Sequence, residues 1–328
     1  MAIISVDHLT KYYKVHQKEP GFLGSVKSLV NRKYYDAKAV NDISFSIEEG
    51  ELIGFIGPNG AGKTTTLKCL SGLLYPTSGH VSVLGYKPFE RKNKFLKQIA
   101  LVMGQKNQLW WDLPAMESFL LNKEIYEVSD ERFKKTLADL SELLDVTDVL
   151  NVQVRKLSLG QRMKCELIAA LIHTPRILFL DEPTIGLDVV MQEKLREFIQ
   201  EYNEKYNSTI ILTSHYMKDV EQLCKRIIVI DHGKILYDGS LEDIVKKYAK
   251  HKLLTVQLSK KVEKEKFAKL GEITHWEYPK VTISVIREES NKVAAKLLEN
   301  FPVEDLNVED ISIEEIIRDV FTENKSTS

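Results

Sequence analysis

Cysteine is scarce in this chain. There are three in 328 residues, Cys69, Cys165 and Cys224. They are far apart, odd in number and outside any metal-ligand spacing, which excludes a disulfide framework and suits a reducing compartment. Net charge is almost absent too: 46 basic residues face 47 acidic ones, a formal balance of −1. The summed charge therefore gives no reason to expect a nucleic-acid partner, and none is expected. Long apolar runs are missing. The longest, such as Ile177 to Leu180 and Ile227 to Ile230, fall far short of the ~20 residues that cross a bilayer. The first residues, Met1 to His8, carry no basic leader and meet an acid at Asp7, so no signal peptide is expected. Neither an internal repeat nor a low-complexity segment stands out apart from the polar tail from Thr322 to Ser328. The length suits two domains of roughly 150 residues each.

What is present centres on Gly57-Pro58-Asn59-Gly60-Ala61-Gly62-Lys63-Thr64-Thr65, between a strand-like run, Leu52 to Ile56, and a helical start, Thr64 to Leu70. Glycines let the backbone take positive φ and approach a polyanion, so successive N–H groups can converge at a helix N-terminus. Lys63 adds a full positive charge, and Thr64 offers a hydroxyl to a Mg²⁺ ion carried by nucleotide phosphates. At ordinary residue frequencies the spacing G-x-x-x-x-G-K-[ST] arises by chance in about one chain in a hundred of this length. Its strand and helix flanks make it rarer still.

Ahead of this loop, a short strand over residues 3 to 13 ends in the pair Tyr12 and Tyr13, either of which offers a flat face to a base. Residues 14 to 37 interrupt the pattern with Phe22, Leu23, Val26, Leu29 and Val30 at helical spacing beside basic residues. Two readings stand: a helix laid on its own domain, or a surface for headgroups or a membrane partner. Strand alternation returns from Lys38 to Ile47. After the loop come short strands at Val81 to Leu84 and Ile99 to Met103, then a charged helical insertion from Leu109 to Leu150.

Leu157-Ser158-Leu159-Gly160-Gln161 opens the next helix, with Ser158 and Gln161 at capping-box spacing. Ile177 to Leu180 then reads as a strand buried in a parallel sheet, ending in Asp181 and Glu182. Ligands of open α/β sheets bind at such carboxyl ends. Asp181 suits Mg²⁺, directly or through water, and Glu182 suits the polarisation of a water that attacks a γ-phosphate. Asp188 can cap the helix that follows Gly186-Leu187. A buried strand from Thr209 to Leu212 leads to Ser214-His215, and Ile227 to Tyr237 reads as a hairpin. Beyond Ser240 the predicted order of elements resembles a split βαβ, or ferredoxin-like, arrangement with no catalytic cluster.

Together these stretches resemble the nucleotide-binding subunit of ABC transporters, over residues 1 to about 245. Gly57 to Thr65 matches the Walker A loop, Ile177 to Asp181 the Walker B strand, Leu157 to Gln161 the signature, and Gly186 to Asp188 the D-loop. Gln105 matches the Q-loop glutamine and His215 the switch histidine. The resemblance implies an α/β P-loop NTPase over 1–245, with a helical subdomain at about 106–160; the order of elements beyond it predicts a small α+β accessory domain over 246–328. It implies ATP and Mg²⁺ as cofactors. Two copies, identical or different, would pack head to tail. Tyr13, Gly57, Asn59, Gly60, Gly62, Lys63, Thr64 and Thr65 of one copy would hold ATP, closed over by Ser158, Gly160, Gln161 and Asp188 of the other. Thr64, Gln105 and Asp181 would serve the metal; Glu182, His215, Gln105 and Lys63 would serve catalysis.

Leu159 stands where the family has glycine in LSGGQ, and Gly104 adds one residue before the glutamine. Tyr12 and Tyr13 both remain candidates for the adenine. The stretch Leu109 to Pro114 and the C-terminal appendage are similar to ATPases of bacterial ABC-2-type exporters. Separate transmembrane permease subunits are then implied as partners, and a place on the cytoplasmic face of the membrane. Trp110 and Trp111 read either as permease contacts or as a packed aromatic pair. The rivals are an importer ATPase and a soluble ABC-type ATPase acting on ribosomes or DNA.

Overall fold

The computed structural model describes residues 2–16, 34–104, 106–214 and 216–325. Gln105, His215 and the amphipathic stretch from Phe22 to Val30 lie outside the described residues. The chain forms two compact units, Met1–Asp238 and Gly239–Ser328. The division falls just before the helix Leu241–Tyr248, whereas the boundary expected at 245/246 runs through that helix.

The first unit opens with two long strands, β1 (Ala2–His16) and β2 (Tyr34–Glu48). They pair antiparallel out to His16 opposite Tyr34, further than the apolar alternation extends. Backbone ladder bonds need no buried face, so the outer ladder carries exposed side chains that leave no hydrophobic signal. Then follow β3 (Leu52–Ile56), α1 (Lys63–Leu70), β4 (Ser78–Val83), α2 (Asn93–Leu96) and β5 (Ile99–Met103). The helical insertion supplies α3 (Ala115–Ile125) and α4 (Asp130–Leu143), and α5 (Leu159–Leu171) leads back to the sheet. The unit finishes with β6 (Ile177–Asp181), α6 (Val189–Tyr206), β7 (Thr209–Ser214), α7 (Met217–Leu223), β8 (Arg226–Asp231) and β9 (Lys234–Ser240), the last crossing the division.

Two sheets result, an antiparallel one in the order β2-β1-β4 and a six-stranded one in the order β5-β6-β7-β3-β8-β9. From β5 to β8 the larger sheet is parallel. Its strands are apolar throughout because helices and the smaller sheet cover both faces. Helix α1 contributes Leu67, Cys69 and Leu70 to a core shared with Leu9 and Ile43 of the small sheet and Phe55 and Phe179 of the large one. That packing fixes the start of α1 above the carboxyl ends of β3 and β6. The three cysteines are free and buried.

The second unit runs α8 (Leu241–Tyr248), β10 (His251–Leu258), α9 (Lys264–Ala268), β11 (Glu272–Glu277), β12 (Lys280–Ile286), α10 (Ser290–Asn300), β13 (Val303–Asp310) and α11 (Ile313–Lys325). Its sheet has the order β11-β12-β10-β13, antiparallel throughout. This is the strand order of a ferredoxin-like fold, with Leu254, Val256, Phe267 and Ile283 in its core.

Candidate nucleotide site

The turn after β3 cannot be built from ordinary residues. Gly62 caps α1 at φ 111°, and a Cβ there would stand 2.3 Å from the carbonyl oxygen of Ala39 in β2. Only glycine takes that conformation so close to another backbone. Helix α1 begins with no side-chain cap, so the N–H groups of its first turn lack carbonyl partners and face outward. They open into a cavity of about 720 Å³. Asn59, Gly60, Gly62, Lys63, Thr64, Thr65, Asp181 and Glu182 line it together with Lys106.

Inside the cavity the two motifs meet. Thr64 Oγ1 lies 3.0 and 2.8 Å from the two carboxylate oxygens of Asp181, 117 residues later in the chain. Lys63 is buried, and its ammonium donates to the carbonyls of Gly57 at 2.6 Å and Pro58 at 3.1 Å. Burial pulls its pKa below the usual lysine range, while Glu182 and Asp181 pull the other way. Gly57 itself does not line the cavity; it serves through its carbonyl.

Glu182 follows β6 in the left-handed region, at φ 52°. Such a conformation costs about 1 kcal/mol for a residue with a side chain. Its N–H is held by Thr213, through the carbonyl at 3.1 Å and the hydroxyl at 3.0 Å. The Thr213 hydroxyl donates to Asp181 at 2.7 Å. Gly104 donates its N–H to the Asp181 carbonyl, and a Cβ on it would meet the Glu182 carbonyl oxygen at 2.2 Å, which explains a glycine ahead of residue 105.

The signature residues lie elsewhere. None of Ser158, Gly160 and Gln161 lines this cavity, and neither does Asp188. Ser158 is exposed and closes a full capping box on α5: its Oγ accepts from Gln161 N at 3.2 Å, while Gln161 Oε1 accepts from Ser158 N at 3.0 Å. Accepting an N–H leaves the hydroxyl proton available to an outside acceptor. Gly160 is buried, with Met191 of α6 2.8 Å from where a Cβ would stand. Asp188 caps α6 by accepting from Met191 N at 2.9 Å.

Of the two tyrosines, Tyr12 is committed to Asn41, to whose Oδ1 its hydroxyl donates at 2.8 Å. Tyr13 is 38% exposed with the Lys11 ammonium 5.4 Å from its ring centre. Trp110 and Trp111 are 53% and 48% exposed, which rules out a buried aromatic pair.

The profile of the ABC transporter family matches residues 40–185. Over 236 residues the chain is 34% identical to the ABC transporter ATP-binding protein NatA of Bacillus subtilis (strain 168), covering 71% of this chain and 96% of that protein. The chain belongs to the ABC transporter ATP-binding proteins. This ABC subunit is also 35% identical over 215 residues to the Nod factor export ATP-binding protein I of Burkholderia orbicola (strain AU 1054), covering 64% of this chain and 69% of that one. A solved ATP-binding subunit of an ABC transporter superposes with a TM-score of 0.62 at 25% identity, covering 75% of this chain and 93% of that one. Residues 250–309 match the C-terminal domain of EvrA-like ABC transporters. The ABC ATPase reading of the sequence is therefore established for the chain, and among its described residues no helix is long and apolar enough to cross a membrane.

Three residues that support or line the cavity region carried no sequence signal. Thr213 was hidden inside an apolar strand. Asp219 on the short helix α7 is fully buried and accepts from Thr184 Oγ1 at 2.6 Å, Ser214 Oγ at 2.7 Å and the Arg196 guanidinium at 2.8 Å, so it joins the chain beyond Glu182 to the end of β7. Lys106 lines the cavity wall. A one-dimensional pattern cannot mark such residues, because their partners are 30 or more positions away or on another element.

Proposed function

We propose that this ABC subunit hydrolyses Mg-ATP at the interface of two head-to-tail copies and drives export through separate transmembrane subunits. The observation that carries the site is the meeting of Thr64 and Asp181 within the glycine-loop cavity. A hydroxyl and a carboxylate are the hard oxygen donors that Mg²⁺ takes, and the ion, when bound there, neutralises charge building on the phosphates. Thr64 and Asp181 would hold it, with Gln105 as a further ligand.

Every remaining role falls to this chain's own side chains. The first-turn N–H groups of α1 and the Lys63 ammonium cradle the β- and γ-phosphates. Glu182, which lines the same cavity, accepts a proton from the attacking water and orients it. His215 contacts the γ-phosphate, and Tyr13, whose neighbour Tyr12 is tied to Asn41, stacks on the adenine. Ser158, Gly160 and Gln161 at the exposed start of α5, with Asp188, close over the ATP of the partner copy, since a helix N-terminus and a free hydroxyl proton both favour an anion.

Export follows from the relatives, one of which is named for Nod factor export. The half-exposed Trp110 and Trp111 supply the contact with the transmembrane partner, on the cytoplasmic face of the membrane. The decisive variant is Glu182→Gln. It should bind ATP with unchanged affinity, hydrolyse it at least a hundredfold more slowly, and accumulate as an ATP-bound dimer in size-exclusion chromatography. Hydrolysis at the wild-type rate would remove Glu182 from its role.

A further inference from the structure

Glu166 lies two turns into α5 and is only 3% exposed. Among the described residues no lysine, arginine or histidine stands within salt-bridge distance of it. Its carboxylate instead accepts three backbone hydrogen bonds from one loop: Gln108 N at 2.9 and 3.0 Å to its two oxygens, and Leu109 N at 3.3 Å. Taking a carboxylate out of water is costly, and N–H donors from backbone offset that cost only while they stay in place. An apolar residue would pack this helix face with less penalty, so the charge is explained by what it orders.

The ordered loop is the one that carries Trp110 and Trp111. Its far end is also held: Arg155 N donates to the Trp111 carbonyl at 3.0 Å, Val154 N to that of Leu113 at 3.0 Å, and the Arg162 guanidinium lies 5.6 Å from the centre of a Trp111 ring. Residues 153 to 157 run straight into Ser158, and Arg162 and Glu166 are successive turns of α5. Two exposed rings are thus mounted on backbone that is bonded, from both ends, to the signature helix and the segment that starts it. We infer that Glu166 is a positioning residue whose carboxylate ties the Trp110–Trp111 loop to α5, so that displacement of the two rings by a transmembrane partner is passed to Ser158 at the start of that helix. A helix transmits such displacement because its turns are mutually hydrogen-bonded, and Ser158 is about 12 Å from Glu166 at 1.5 Å per residue. The inference rests on the closure role proposed for Ser158.

The test compares the full-length chain with its Glu166→Gln and Glu166→Asp variants by backbone hydrogen exchange and by steady-state ATP hydrolysis. Glu166→Gln turns an NH₂ toward the loop's donors. Peptides covering residues 107 to 112 should exchange at least tenfold faster, those covering 57 to 70 within twofold of wild type. The KM for ATP should stay within twofold and kcat should fall at least fivefold. Glu166→Asp, which keeps the charge on a shorter stem, should recover part of both the protection and kcat, and it decides alone if the glutamine variant fails to fold. A merely structural role would lower thermal stability without splitting kcat from KM. Wild-type exchange in the glutamine variant would overturn the tie. Fast exchange with unchanged kcat would overturn the transmission to Ser158. A wild-type chain that hydrolyses no ATP would instead overturn the ATPase role, and the exchange comparison would then decide the tie by itself.

Discussion

Two helix N-termini of the first unit, those of α1 and α5, are built in opposite ways. Helix α1 starts at a glycine with no side-chain cap, and its unpartnered N–H groups open into a cavity beside a buried lysine. Helix α5 starts at an exposed serine with its capping box complete. An uncapped N-terminus is unsatisfied until an anion arrives, whereas a capped one is stable alone and offers only a hydroxyl proton and a partial charge. The first is therefore a binding site within one chain. In the function proposed above, the second becomes part of a site only when a partner copy is pressed against it, an arrangement that would let nucleotide govern association.

The strongest way to break this contrast is to force a side chain into the first N-terminus. Gly62→Ala places a Cβ 2.3 Å from the Ala39 carbonyl oxygen at φ 111°. It should cost about 3 kcal/mol of stability by strain and displacement. Calorimetric titration should find ATP affinity reduced more than a hundredfold, because the first-turn N–H groups no longer point together.

A comparable effect should come from acid at the far end of α5. His173, just beyond the helix, is buried, stacked on Tyr126 at 3.8 Å between ring centres, and donates from Nε2 to the Ile99 carbonyl at 3.1 Å. Burial lowers its pKa from 6.5 to about 4. The unfolded chain then binds a proton that the folded chain refuses between those values, so stability is full above pH 6.5 and falls as the pH drops toward 4. The loss should reach about 3 kcal/mol, and His173→Gln should flatten that slope in urea titrations across the range.

The smallest effect sharpens the contrast most. Ser158→Ala removes the cap of α5 and should cost about 1 kcal/mol of stability. ATP binding by the isolated chain should be unchanged, because no signature residue lines the glycine-loop cavity. Turnover should nevertheless drop at least tenfold. Full turnover in a stably folded Ser158→Ala would make the serine a cap and nothing more.

The fold was legible in the sequence where local chemistry dictates it. The glycine loop, the capping box of α5, the Asp188 cap and the succession of strands and helices in the C-terminal unit are written in neighbouring residues. The outer part of the β1–β2 ladder was not, since its side chains face water and leave no apolar alternation. At the site, Asp181 and Thr64 were each marked by motif. Thr213, Asp219 and Glu166 were not: a buried polar group is recognisable only by its partner, and Glu166 lies 58 residues from Gln108. The exposure of Trp110 and Trp111 was equally undecided until the surrounding helices were placed.

The sequence by itself determined the chemistry available to this protein: which turn can hold phosphate, which strand ends in carboxylates, which helix is capped by serine. These follow from backbone conformations and hydrogen bonds made within a few residues, which the local order of side chains dictates. Only the tertiary structure decided which of those pieces meet. Thr64 reaches Asp181 because α1 is packed between two sheets, while Ser158 stands exposed at the start of α5, outside the cavity. Long-range contacts depend on burial and packing summed over the whole core, and no single stretch of sequence carries that sum.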